Sequence, residues 1–398
     1  MKITDVRVIP IGSMGEEAPQ GVGKVLVTPG SYFYEPQQER VPSRWPMQML
    51  LVIVDTDAGL SGIGTAGAPW GGGHSAVIEH LLKPAVLNQN PFDVEVIWER
   101  MFRDTIALGR KGLAIEALSS IDVALWDIMG KATGQPVYNL LGGRTRTKIQ
   151  AYASRLYATE DLDALAAEAR VYVAQGFTAL KQRFAYGPRD GYVGMRRNLE
   201  LIKTVRDAVG ADIEVAADAF MGWDVPYAIR MIRMLEDAGL RLSWVEEPVI
   251  PDDIRGYAQI RAAVNTRISG GEHEFTRFGF RELIAQQAVD ILQLDATRCG
   301  GLTEARKICA MAAAYNLPVI PHATGMHHHQ LVIAHMNAPL VEYFPLPPEG
   351  FAPNWYEMPY YIFEGEPRAE GGFITLPETP GLGIEVNWNV VEQFRLDR

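Results

Sequence analysis

The stretch IEVAADAFMGWDVPYAIRMIRMLEDAGLRLSWVEEPVIPDDIRGYAQIRAAVNTRISGGEHE, residues 213 to 274, holds three short β-rich runs: IEVAADAF (213 to 220), LSWVEEPV (242 to 249) and RISGGEHE (267 to 274). The segments between them carry apolar residues at helical spacing, so the stretch reads strand, helix, strand, helix, strand. The alternation continues on both sides. KIQAYASRL (148 to 156) and ALKQRF (179 to 184) precede it, and DILQLDAT (290 to 297), PVIPHAT (318 to 324) and LVEYFP (340 to 345) follow. Eight such runs alternating with helices over about 220 residues predict a (β/α)8-type TIM barrel. HHHQLVIAHM (327 to 336) is the weakest of its helices, with His327, His328 and His329 in the first turn.

Outward from the barrel the pattern changes. Residues 1 to 11 and 47 to 56 (MQMLLVIVDT) read as strands, the second leading through DAGLSGIG into another short strand. From Ser75 to Leu140 the spacing is helical, and its clearest part, GLAIEALSSIDVALWDIMGKATGQPVYNLLGG, should stop at Gly134 and Pro136. Residues 12 to 46 are rich in Gly and Pro and carry Tyr32, Phe33, Tyr34, Arg44 and Trp45. A connection that long in a compact domain is expected to be a lid or a disordered segment. The expected organisation is an α+β capping domain (1 to 145) with a substrate-specificity loop, the barrel (146 to 365), and a tail (366 to 398) that returns to the cap.

Composition narrows the function. A net charge of −11 over 398 residues argues against a broad nucleic-acid or anionic-membrane surface, which would need a positive field. The N-terminus MKITDVRVIP alternates in polarity like a strand and lacks the apolar core of a signal peptide. No apolar run approaches the roughly 20 residues of a membrane span. Cys299 and Cys309 have no metal-type spacing and read as reduced thiols, so the expected location is cytoplasmic. A homo-oligomer is also expected.

The ends of the barrel runs carry the chemistry. They present Lys181 and Arg183, Asp218, Glu246 and Glu247, Glu272, Asp295, His322 and Glu342 in turn, and barrel enzymes hold their reactive groups at that rim. A packed barrel has no structural use for so many charges, and burying them unpaired costs several kcal/mol each. Asp218, Glu246 and Glu272, from three consecutive strands, make a hard oxygen shell suited to Mg2+ with positions left for substrate.

The order and spacing of SIDVALWDIMGKATGQPVYNLLGG, AADAF, WVEEP, SGGEHE, LQLDATRCGGLTEA, IPHATGMHHHQ and PLVEYF resemble the mandelate racemase subgroup of the enolase superfamily, and within it the L-rhamnonate dehydratases, over nearly the whole chain. The resemblance implies that Asp218, Glu246 and Glu272 hold Mg2+, with Glu247 expected to meet a neighbouring Arg or Lys. It implies that His322 and Asp295, 27 residues apart on adjacent strands, form a catalytic dyad in which the carboxylate fixes the imidazole tautomer. Glu342 then corresponds to an acid that hydrogen-bonds the substrate carboxylate, for which it must be protonated.

The departures are informative too. Racemases of this subgroup usually carry KxK on the second strand, but this chain reads Lys181-Gln182-Arg183, and Arg stays protonated. Lys181 or Arg183 is left either to neutralise the substrate carboxylate or to make a structural ion pair. Asp295 on the sixth strand counts against the cycloisomerase type with paired lysines. DAF on the third strand lacks the His of the galactonate type. Arg44, beside Trp45, stands where the rhamnonate dehydratases place a substrate-contacting Arg, and Tyr32 to Tyr34, Trp70 and His273 are further candidates for substrate contact. The expected reaction is Mg2+-dependent dehydration of a sugar acid, with a racemase, epimerase or cycloisomerase as the alternative enzyme and a non-catalytic sugar-acid binding protein as the alternative outside enzymes.

Overall fold

The computed structural model describes residues 1–12, 26–30, 49–67, 72–346 and 357–397. Tyr32 to Tyr34, Arg44, Trp45 and Trp70 lie outside the described residues.

The chain opens with an antiparallel sheet of β1 (Ile3–Ile11), β2 (Met49–Thr56) and β3 (Ser61–Gly67), in that order. The helix Leu113–Thr133 is apolar almost all round and buried along most of its length, as expected of a helix with partners on more than one side. One side lies on β3. Gly62 and Gly64 make that approach possible, since a Cβ there would sit 2.0 Å from the Ala124 carbonyl oxygen and 1.9 Å from that of Ser120. The helix stops where the sequence says, at Gly134, whose left-handed backbone (φ 67°) caps it. Its other side meets the barrel: Asp122 Oδ2 accepts from Thr303 N at 2.9 Å, Ser119 Oγ from Gly300 N at 2.9 Å, and Trp126 Nε1 donates to Thr303 Oγ1 at 2.9 Å.

The barrel strands are β4 (Ile149–Leu156), β5 (Ala179–Arg183), β6 (Glu214–Asp218), β7 (Val245–Glu246), β8 (Ile268–Gly270), β9 (Ile291–Leu292) and β10 (Leu340–Tyr343). All pair in parallel in sequence order, and β10 pairs back onto β4. The seventh run is reduced to a parallel bridge between Val319 and Leu292. Helices Leu162–Ala174, Gly191–Val209, Val225–Asp237, Ile254–Ala263, Thr276–Ala285, Gly301–Ala314 and Met326–Ala334 follow the first seven runs. After β10 the described residues hold the short helix Pro359–Ile362. Several runs are shorter as ladders than as β-rich sequence, and Glu272, Gln293, Asp295 and His322 stand just beyond the last paired residues.

The tail binds the cap. Leu382 N donates to Asp127 Oδ1 at 2.7 Å, Leu396 N to the Pro10 carbonyl at 2.9 Å, and Arg395 bridges Ile11. No helix among the described residues is long and apolar enough to cross a membrane.

Strand periodicity of two sets the barrel interior. Tyr152, Ala179, Ala216, Trp244, Ile291 and Ile320 pack as one buried apolar cluster, with Leu340 against it. Two residues further along the same strands stand Ser154, Lys181, Asp218, Glu246, Gln293, His322 and Glu342, all buried. The ionisable layer therefore rests on a dry apolar one.

Candidate active site

Lys181 sits at the centre of this layer, 1% exposed. Its Nζ lies 2.5 Å from Glu246 Oε1, 2.8 Å from Glu342 Oε1 and 3.9 Å from Asp218 Oδ2. Burial alone would lower its pKa, but the Glu246 and Glu342 charges outweigh that and hold the ammonium well above its ordinary value. Lys181 is a cation here, so the ion-pair role left open by the sequence is the one the resting site displays. Arg183, on the same face, reaches Asp218 Oδ2 at 3.8 Å, donates to Ser154 Oγ at 3.1 Å, and stacks 4.5 Å from the Tyr157 ring.

Glu342 has a partner that sequence spacing could not show. Burial favours its neutral form, but Lys181, His322 and Arg183 oppose that and bring it down to about 2. Its carboxyl accepts from Ala323 N at 2.6 Å and lies 2.8 Å from Lys181 Nζ. The donor role expected from sequence is one toward a bound substrate carboxylate, whose charge would act on Glu342 in the opposite direction to Lys181.

Burial pushes Asp218 upward, only partly offset by Lys181 and Arg183. Burial also takes Glu246 up to about 7, with Lys181 opposing and the charges of Asp218, Glu342 and Glu272 adding. Glu246 Oε2 accepts from Gln293 Nε2 at 2.7 Å and from Trp244 Nε1 at 3.1 Å. Carboxylates that repel one another in a buried layer fit a hard dication, which would offset the repulsion with oxygen ligands of the right kind. Glu247 differs from its expectation: its partner is the imidazole of His273 at 2.8 Å, not an Arg or Lys. Its backbone is left-handed (φ 39°), and its Oε1 is buried without a hydrogen-bond partner. Glu247, Glu272 and His273 bring ligand atoms within 4.8 Å of one another, a second grouping suited to a metal.

Across the mouth, His322 Nδ1 lies 2.8 Å from Asp295 Oδ2, and its Nε2 faces Glu272 Oε1 at 3.5 Å. Burial lowers the imidazole pKa, but the Glu272 charge and the Asp295 hydrogen bond overcome it and push His322 up to about 9. Burial acts to raise Asp295, yet its bonds to His322 and His328 keep it well below the usual carboxylate range. Thr297 supplies both N–H and hydroxyl to Asp295 Oδ1 at 2.7 Å. Asp295 is thus a fixed anion aimed at one ring nitrogen, leaving the other nitrogen to the site.

Lys181, Arg183, Asp218, Glu246, Glu272, His273, Asp295, His322 and Glu342 are all brought to one mouth. Sequence reading missed Gln293, Trp244 and Arg298. The first two were readable as the inward neighbours, two residues away, of Asp295 and Glu246. Arg298, whose Nη1 lies 3.5 Å from Glu272 Oε1 and whose Nε lies 3.7 Å from Asp295 Oδ2, comes from a loop with no periodic signal.

Residues 164–390 match the enolase C-terminal domain-like family, and residues 24–142 match the mandelate racemase / muconate lactonizing enzyme N-terminal domain. Over 344 residues the chain is 37% identical to the L-rhamnonate dehydratase of Saccharopolyspora erythraea, covering 85% of this chain and 83% of that one. Its structure is similar to rhamnonate dehydratase from Gibberella zeae complexed with Mg (TM-score 0.86, 31% identity, 99% of this chain and 96% of that one). It is also similar to the 3,6-anhydro-D-galactonate cycloisomerase from Zobellia galactanivorans (TM-score 0.82, 29% identity, 100% of each chain).

Proposed function

The chain belongs to the mandelate racemase and muconate lactonizing enzyme family of the enolase superfamily, and on that premise we propose that it is a Mg2+-dependent sugar-acid dehydratase acting on an aldonate of the rhamnonate or lyxonate kind. The observation that carries this reading is the asymmetry of the mouth. On one side His322 is an imidazole oriented by the Asp295 carboxylate at 2.8 Å, with Nε2 left to the site, while on the other Lys181 is engaged by two carboxylates, Glu246 at 2.5 Å and Glu342 at 2.8 Å. Racemisation needs a base on each face; elimination needs one.

In this mechanism His322 Nε2 takes the C2 proton of the substrate, and the electron pair left behind moves onto the carboxylate oxygens. Lys181 meets that growing charge with Arg183 close by, and fixed cations in a water-poor layer act where the charge develops. The C3–O bond then breaks, the hydroxyl leaving as water with the proton His322 gained, and the resulting enol ketonises to a 2-keto-3-deoxy acid. Asp218, Glu246 and Glu272 would hold Mg2+, which withdraws electron density from the substrate carboxylate and so acidifies C2. Glu342, His273, Arg44 and Trp45 are assigned to substrate contacts.

The test is to offer L-rhamnonate and a panel of other aldonates with Mg2+ in D2O. A 2-keto-3-deoxy product with solvent deuterium at C3, and recovered substrate without inversion at C2, is expected. Recovery of the C2 epimer, or of a cyclised isomer, with no keto acid formed would overturn the dehydratase reading.

A further inference from the structure

Behind the mouth, the C-terminal segment places an acid with no cation within ion-pair distance among the described residues. The Glu366 side chain is 1% exposed, and its neighbours include the His329 imidazole, itself fully buried, with Nδ1 3.6 Å from Glu366 Oε1, and the Tyr360 hydroxyl, which also interacts with Thr324. His329 Nδ1 and Glu366 Oε1 both lack any hydrogen-bond partner. The Glu366 carboxyl also receives the Met326 N–H, while burial pushes it up to about 8. Burial likewise drives His329 down to about 3. A neutral carboxyl must place its proton somewhere, and a neutral imidazole has one nitrogen able to take a hydrogen bond. With Glu366 donating to Nδ1, the imidazole carries its own proton on Nε2, which faces Thr324 Oγ1 at 3.5 Å.

Thr324 belongs to the turn that joins His322 to the helix Met326–Ala334. Within it Ala323 is left-handed (φ 64°) and Gly325 has φ 137°. Ala323 N donates to Glu342 Oε2 at 2.6 Å. A non-glycine residue held in that backbone region needs its surroundings to keep it there.

We propose that Glu366 and His329 are positioning residues that hold the Ala323–Gly325 turn, and with it His322 and Glu342, through a carboxyl-to-imidazole-to-hydroxyl chain. A segment far along the sequence thereby sets the geometry of the general base. The kinetic part of this assignment rests on the dehydratase reading; the proton placement does not.

The proton placement is read on the metal-free chain without substrate. Nitrogen NMR should show His329 with its proton on Nε2, and infrared spectroscopy should show a protonated-carboxyl band that disappears in Glu366→Gln. The His322 ring signals should move in Glu366→Leu and in Thr324→Val and stay in place in Glu366→Gln, which is neutral and retains a donor. With L-rhamnonate, Glu366→Leu and Thr324→Val should each lower kcat by up to about 10²-fold, the scale of a small misplacement at a reacting centre. KM and Mg2+ affinity should stay within about 3-fold, and the double variant should be no worse than either single one, since both break the same chain. If Glu366→Leu does not fold, Thr324→Val carries the same readouts. An Nδ1-protonated His329, an absent carboxyl band, unmoved His322 signals in Thr324→Val, or additive losses in the double variant would each overturn the assignment. A wild type inactive on every aldonate with these spectroscopic results intact would instead count against the function proposed above.

Discussion

Two layers of the barrel interior, one residue pair apart along the same strands, obey opposite rules. The lower layer, Tyr152, Ala179, Ala216, Trp244, Ile291 and Ile320, is apolar and packed. The upper layer, Lys181, Asp218, Glu246, His322 and Glu342 among others, is just as buried but ionisable. The lower layer keeps water out from beneath, and the poor screening that results moves Glu246 up to about 7, Glu342 down to about 2 and His322 up to about 9. Burial alone therefore says little about role. The lower layer gains stability from being dry, whereas the upper one draws its reactivity from it.

The harshest perturbation moves a charge down one layer. Ala216→Asp would bury an acid among Tyr152, Trp244 and Ile320, a layer that holds no cation, at a cost of several kcal/mol, and soluble folded protein should be lost. Asp218→Asn, two residues away, removes a charge that its layer crowds while keeping an acceptor for Phe220 N. The metal-free melting temperature should hold or rise, while Mg2+-dependent activity disappears. Equal destabilisation by both substitutions in thermal unfolding would erase the distinction between the layers.

Within the upper layer, a large loss of activity with the metal site left intact is expected from His322→Asn. A general base is worth roughly 10²- to 10⁴-fold, and among the described residues Lys181, on the opposite side, is engaged by Glu246 and Glu342. The expected signature is loss of both product and C2 exchange in D2O at unchanged thermal stability with Mg2+. Exchange that survives would point to Lys181 as a second base.

The architecture was largely legible in the sequence because period-two and helical patterns are local: the parallel barrel, the long helix ending at Gly134, and the placement of the acids at strand ends all follow from them. What stayed hidden is what depends on distance across the barrel. Lys181 reaches Glu342 on a strand far along the chain, and this ion pair pulls the Glu342 carboxyl toward its charged form. Glu247 likewise found His273, and Arg298 entered from an aperiodic loop. Side-chain pairs between separate strands leave no mark in linear spacing.

The tandem acids offer a finer division. Glu246 faces the barrel axis with Lys181, whereas Glu247 turns toward His273. Exhaustive chelation should abolish activity and Mg2+ should restore it. Glu246→Gln should cost far more activity and Mg2+ affinity than Glu247→Gln; the reverse order in Mg2+ titrations would transfer the ligand role to the Glu247, Glu272 and His273 grouping.

The smallest expected effect is on stability against pH, and its sign separates the groups of the upper layer. In the metal-free chain His322 is raised to about 9 from an ordinary 6.5, so its contribution is complete below pH 6.5 and lost as pH climbs through 9. Glu246, raised to about 7 from 4.5, adds a loss in the same direction between those two values. Glu342, lowered to about 2 from 4.5, works the other way: its contribution is present above pH 4.5 and lost as pH falls toward 2. These three groups therefore draw metal-free stability toward a maximum near pH 5 and a decline toward pH 9. His322→Asn should shrink the decline above pH 6.5 and leave the part below it. Saturating Mg2+ should flatten the curve, because a dication among Asp218, Glu246 and Glu272 neutralises the charge that raises His322 and the repulsion that raises Glu246. Unfolding midpoints across this range in EDTA and in Mg2+ decide it, and a metal-free curve that rises from pH 6 to 9 would mean that the upper layer is not governed by these opposed charges.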